Sequence, residues 1–288
     1  MMINKIRRLP KPVQRLLMQA SCIGHTFSLE LLALTASCHP DDLETQLAVA
    51  MDEGFIVPHG SSDSASDEMP AVFKFLHDRV HQAVYSFVEK EQKKQLHYEI
   101  STLMLKTLSA EELDEHIFDV TNQLNLGKEF MTAAQEKERL AELNLRACRK
   151  AKANTAYETA LKYVSNSIQA LQQDSWNGQY ELSFAVYLEL AELEYLCGHF
   201  EEAKRSFQLI LQQAKTKLEK AEVYNLMIVL YTNLGLHEQA MQIGLEGLRL
   251  FGVPLHAKAR KSALLMELVK SKVQMIGRHP DELASCRR

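Results

Sequence analysis

Apolar residues recur at helical spacing along most of the chain, and the exceptions mark where the fold changes. Val13, Leu16, Leu17 and Ala20 stand at i, i+3, i+4 and i+7 and predict a helix over 12–22. Ser28 is placed to cap a second helix bearing Leu29, Leu31, Leu32, Leu34 and Ala36. Asp41 and Asp42 suit the start of a third, whose inner face is Leu43, Leu47, Ala50 and Met51 and which Gly54 ends. The period then changes. Phe55-Ile56-Val57 and Val72-Phe73-Lys74-Phe75-Leu76 read as two strands, separated by a polar, serine-rich turn over 59–70. Helices follow over 77–88 and 91–108, with Val80, Val84 and Phe87, then Leu96, Ile100 and Leu103, facing inward.

Beyond residue 110 the pattern is helical throughout. Helices are predicted over 111–124, 134–152, 156–171, 179–196, 200–214, 218–234, 237–250 and 257–276, with glycines between many of them. An internal repeat runs through this half. Gly198, Phe200 and Ala203 align with Gly235, His237 and Ala240, and Tyr157 and Ala160 form a third copy without the glycine. The alanines lie 43 and 37 residues apart, near the roughly 34-residue tetratricopeptide period. The glycine ends one helix, a ring at the next helix start fills the wedge, and the alanine lets the two helices approach. The expected fold is therefore mainly α: a winged-helix domain with a small β-hairpin over 1–108, followed by an α-solenoid of tetratricopeptide-like helical hairpins over 109–288.

Composition agrees with a folded, helix-rich chain. Of 288 residues, 46% are hydrophobic and 24% charged, with only 11 glycines and 7 prolines. The 33 basic and 37 acidic side chains leave a net charge of −4, which argues against a generally basic nucleic-acid binder. The third helix sharpens this: Asp41, Asp42, Glu44, Asp52 and Glu53 sit on it without one Lys or Arg, where DNA would demand positive charge. No stretch of 18 apolar residues occurs, so no membrane span is expected. Five cysteines, widely spaced and without a C-x-x-C pair, predict neither a disulfide framework nor a zinc finger, and a reduced cytoplasmic setting.

Candidate chemistry is sparse. No phosphate-cradling G-x-x-x-x-G-K-[ST] loop, no G-x-S-x-G elbow and no kinase motif occurs, so no catalytic residue and no cofactor are expected. His77 and His81 have the i, i+4 spacing that binds zinc in H-E-x-x-H proteins, which makes a metal-dependent enzyme one alternative. Asp78 replaces the glutamate base, however, and His77-Asp78 reads more simply as a helix start. Two basic clusters, Lys5, Arg7, Arg8, Lys11 and Arg15, then Arg146, Arg149, Lys150 and Lys152, suit an anionic partner or a solvated helix face. Trp176, Tyr180 and Phe184 suit packing between repeats or stacking on a ligand.

The ordered string Leu9-Pro10, Gln14, Ala20, Gly24, Phe27, Phe75-Leu76-His77-Asp78-Arg79-Val80, Ala83 and Tyr85 resembles the winged-helix region that follows the ATPase core in signal-transduction ATPases with numerous domains. Further on, Asn122-Gln123-Leu124-Asn125, Glu138-Arg139-Leu140, Leu143-Asn144-Leu145, Ala156-Tyr157, Trp176, Tyr180-Glu181-Leu182 and Glu192-Leu193-Glu194-Tyr195 resemble a narrower group. These are large bacterial signalling proteins that join a serine/threonine-kinase-like domain, an ATPase, a helical-repeat arm, a GAF domain and often a histidine kinase. The resemblance implies a non-catalytic regulatory segment from the middle of such a protein. Its partner would be an ATPase module, in cis or from an adjacent gene, met at His77, Asp78 and Arg79. A free-standing tetratricopeptide adaptor that holds a peptide or protein in its concave groove is the other alternative.

Overall fold

The structure, a computed structural model, describes residues 2–36, 40–60 and 71–253. These residues are mainly helical with one small sheet, and they divide into two compact units, Met1–Cys197 and Gly198–Arg288. The loop expected over 59–70 lies outside the described residues from 61 on, as does the helix expected over 257–276.

The first unit opens with α1 (Met2–Arg8) and α2 (Lys11–Ile23), the latter begun by prolines where their missing N–H groups cost nothing. Then come β1 (Thr26–Ser28), α3 (Leu29–Ala36), α4 (Pro40–Asp52), β2 (Ile56–Pro58) and β3 (Val72–Phe75). The Ser28 hydroxyl accepts from the Leu31 N–H at 3.2 Å, as a cap should. The predicted pair of strands is joined by a third that the sequence pattern did not reveal. Thr26–Ser28 is too short to show alternation, yet it pairs antiparallel with β3, giving the order β1-β3-β2. Phe27 faces Phe73 and Ile56 faces Phe75 across the ladder, so one face of the sheet is aromatic and fully buried. Burying each of these rings is worth about 1.5–3 kcal/mol. Helices α5 (Asp78–Ser86) and α6 (Lys90–Thr107) follow.

A single helix predicted over 111–124 is two. Ser109 and Glu112 form a reciprocal capping box that starts α7 (Ala110–Glu115), and His116 leaves the helical region (φ −94°, ψ 18°) before α8 (Ile117–Gly127). After a 3₁₀ turn at Lys128–Phe130 come α9 (Ala134–Ala153), α10 (Tyr157–Ala170), a short α11 (Ser175–Gly178) and α12 (Tyr180–Leu196). Helices α9 and α10 pack closely because small buried residues, Ala141, Ala147, Ala151 and Ala160, line their interface. Trp176 stacks on Tyr187 with centroids 5.1 Å apart, holding α11 against α12.

The second unit contains α13 (Phe200–Gln213), α14 (Lys217–Asn233) and α15 (His237–Leu250). Thr216 and Glu219 form another capping box at the start of α14. One turn geometry recurs three times along the chain. Thr155 (φ 59°), Gly198 (φ 83°) and Gly235 (φ 74°) are left-handed. The next residues, Ala156 (−86°, 62°), His199 (−85°, 62°) and Leu236 (−83°, 54°), share one conformation. The copy without glycine thus adopts the glycine turn, with Thr155 bearing the strain. Ala160, Ala203 and Ala240 are buried in all three copies, whereas Tyr157 is half-buried and Phe200 stays 47% exposed. The packing that recurs is that of the alanine; the ring is not held alike in each copy.

Candidate functional site

Strand β3 runs into His77, which is extended at the N-cap of α5 and makes no side-chain cap bond. His77, Asp78 and Arg79 are all exposed, beside Leu76 at 41% exposure, while Val80 is buried beneath them. Asp78 sits in the first turn, where its charge complements the helix dipole. Its carboxylate lies 3.2 Å from Nδ1 of His25, close enough for an ion pair though not aligned as a hydrogen bond. The residues assigned to an interface therefore form one small outward face.

His81 turns the other way. Its Nε2 lies 2.9 Å from the Ser21 carbonyl, which can only accept, so that nitrogen carries a proton and is no metal ligand. Its ring packs on Phe75 at 5.1 Å, on His25 at 5.9 Å and on Tyr85 at 6.3 Å. Among the described residues no group of three His, Cys, Asp or Glu is placed to hold a metal ion.

From His81 a chain of rings leads inward to an amide. The Tyr85 hydroxyl lies 2.9 Å from Nε2 of His97, and His97 Nδ1 lies 2.5 Å from Oε1 of Gln123. Gln123 Nε2 donates to the carbonyls of Cys22 at 2.9 Å and Ile23 at 2.8 Å. Those two acceptors fix the orientation of the amide. Its oxygen must then accept from His97, which places the imidazole proton on Nδ1 and leaves Nε2 to accept from Tyr85. Burial holds His97 below the ordinary histidine pKa, so it stays neutral.

The neighbours of Gln123 extend this joint. Asn122 accepts from the Tyr163 hydroxyl at 3.0 Å. Asn125 and Asn144 exchange paired amide bonds at 2.9 and 3.0 Å, and Asn144 also donates to the Leu140 carbonyl at 2.9 Å. One turn of α8 thus binds the end of α2, α6, α9 and α10 through directional bonds, each buried or half-buried. At the last residue of α8, a Cβ on Gly127 would stand 2.5 Å from the Tyr98 backbone nitrogen, so only glycine permits this approach of α8 to α6.

The basic clusters are largely spent within the chain. Lys5 reaches Glu53 at 3.4 Å and lies over the Phe55 ring, and Arg7 lies over Phe87. Arg146 and Lys150 meet Asp114 at 3.2 and 3.8 Å. Arg149 meets Glu189 at 2.8 Å, and Lys152 binds both Glu189 and, at 2.8 Å, Glu192. Arg8, Lys11 and Arg15 remain exposed. The thiols of Cys22 and Cys148 are buried, and burial pushes them up to about 11 and about 12, so neither is a nucleophile at neutral pH.

The i, i+4 spacing of His77 and His81 would put both on one helix face; in the structure His77 is the extended, exposed N-cap of α5 and His81 packs toward Ser21. The roles of Gln123 and His97 were not foreseen. The available signal was a run of amides, Asn122, Gln123 and Asn125, set into a helix whose inner positions also include the apolar Ile117, Val120 and Leu124.

No known family model matches the sequence, and no solved structure matches it. The chain is similar to a stretch of Hybrid signal transduction histidine kinase G of Dictyostelium discoideum, 25% identical over an alignment of 328 residues that covers 96% of this chain. It spans about a tenth of that protein's length.

Proposed function

We propose that this chain is a non-catalytic regulatory segment of a multidomain signalling protein, coupling an ATPase switch module to protein partners in the cytoplasm. Similarity to a signal-transduction histidine kinase across nearly the whole chain supports the signalling role. In this reading α2, α3, α4 and the sheet are a winged helix, and the hairpins from α9 onward are a tetratricopeptide-like arm. The acidic α4, with Asp42, Glu44 and Asp52, disfavours DNA as the ligand of that winged helix. No described helix is long and apolar enough to cross a membrane.

The observation that carries the proposal is the joint at Gln123. A signal received at His77, Asp78 and Arg79 reaches α5, which packs on β3 and α2. The end of α2 is hydrogen-bonded to Gln123, and the same turn of α8 holds α9 and α10. Displacing α5 therefore biases the arm through packed helices and fixed bonds, without any cofactor. Association of the full chain with the ATPase region of the same signalling system tests the reading. His77→Ala combined with Arg79→Ala should weaken binding about tenfold, because both side chains are exposed on the face that would meet the partner. Unchanged binding by this variant, or no binding by the wild type, would favour the free-standing adaptor.

A further inference from the structure

Within the Met1–Cys197 unit a cleft of about 620 Å³ opens between two walls. One wall is the segment from Ile23 to Leu34, covering β1 and the start of α3, and the other is the end of α6 with α7 and α8. Gln123, the centre of the joint, also lines it. Two features define what it accepts. Leu31, Leu34, Met104 and Leu108 give it an apolar interior, and Leu34 is 49% exposed at its rim. Its acidic groups are Glu30, Glu112 and Asp119, the last 3.4 Å from His116, which lines the cleft together with His25; no Lys or Arg is among the lining residues. Hydrogen bonds from Ser109 hold the Glu112 carboxyl below the usual carboxylate range, so it stays charged.

We propose that this cleft is a docking site for a basic amphipathic segment of a partner protein, which inserts apolar side chains between Leu31, Leu34, Met104 and Leu108 and sets Lys or Arg against Glu30, Glu112 and Asp119. The volume is that of a site for a drug-sized ligand, so it takes the anchoring side chains of such a segment rather than a whole helix. A cleft of this kind rejects acidic segments by like charge, which gives it selectivity as well as affinity. Its place matters because both walls of the joint contribute to it, so an occupant grips α3 and α8 together. The site borders the face at His77–Arg79, since His25 lines the cleft and lies 3.2 Å from Asp78, but its occupant need not be an ATPase.

The test uses the full chain and three labelled peptides: leucines at i, i+3, i+4 and i+7 with lysines between them, the same pattern with glutamates, and a lysine-rich scramble that destroys the helical face. Fluorescence anisotropy should show saturable one-to-one binding of the patterned lysine peptide and much weaker binding of the other two. Leu34→Asp combined with Glu30→Lys, both at exposed positions, should weaken that binding about tenfold or more. Leu218→Asp, at a residue 76% exposed in the second unit, should leave it unchanged. Binding unaffected by the cleft variant, equal binding of the glutamate or scrambled peptide, or no saturable binding of the patterned peptide would overturn the proposal. The ATPase association described above has its own variant and readout, so the two readings fail separately.

Discussion

The two units hold themselves together by different means. The first buries many polar side chains, among them Gln14, His97, Ser101, Gln123, Asn144 and Ser167, and its exposed large hydrophobics are scattered. The described part of the second buries a single polar side chain, Ser206, and leaves Leu218, Val229, Leu234, Met241, Leu248 and Phe251 exposed. A buried amide costs stability unless its partners are in place, so it accepts one arrangement of its neighbours and penalises others. Apolar packing tolerates small slides. The first unit is therefore built to keep a fixed geometry from α2 to α10, and the second to present surface.

The sharpest way to break this contrast is to force α8 away from α6. Gly127→Ala should destabilise the first unit by about 3 kcal/mol, because the new methyl meets backbone, which cannot rotate aside. Urea denaturation followed by circular dichroism should show this loss while the second unit keeps its midpoint. Gln123→Leu comes next. It strands the carbonyls of Cys22 and Ile23 and the His97 N–H, at a cost of about 2–3 kcal/mol by the same measurement.

Smaller effects distinguish the turns. Gly235→Ala should cost the second unit about 1–2 kcal/mol, the strain of an alanine in the left-handed region. Thr155→Gly should instead stabilise the first unit, by up to about 1 kcal/mol, since it relieves that strain at the matching position. Paired thermal melts would read both signs. The smallest effect is that of pH. His97 has its pKa lowered by burial, so the unfolded chain binds its proton more readily than the folded one. The stability this represents is complete above the ordinary histidine pKa, roughly 6.5, and is lost as pH falls below it. His97→Gln should remove the change in first-unit stability between about pH 7 and pH 5. The lowered carboxyls of Glu112, Glu129 and Glu136 act at lower pH and leave this window clear.

Much of the helical order was legible because amphipathic helices write their period into the sequence. The buried positions Val13, Leu16, Leu17 and Ala20, or Val80 and Val84, follow directly from spacing. What stayed hidden has physical reasons. Strand β1 is three residues long and depends on β3 to exist. The break at His116 leaves no mark in the spacing: the capping box of Ser109 and Glu112 only starts α7, and no side-chain cap at His116 announces α8. Thr155 adopts a glycine turn because the α9–α10 packing outweighs its local cost. The joint was hidden because an amide on a helix face does not announce its partners: those of Gln123 lie about a hundred residues away, at Cys22 and Ile23. Only the resemblance to multidomain signalling proteins singled out Asn122–Asn125, and it assigned them no role.

The central claim is that the joint around Gln123 makes the region of α2 to α6 and the α9–α10 hairpin behave as one body. Native-state hydrogen exchange of the full chain in rising urea tests it directly. Amides in the buried middle of α2, near Leu16 and Leu17, should open with the same free energy and urea dependence as those of α9 near Leu143 and Ala147, and Gln123→Leu should separate the two sets. If the wild-type sets already open independently, with a break near residue 108, the joint does not couple the regions and the account fails.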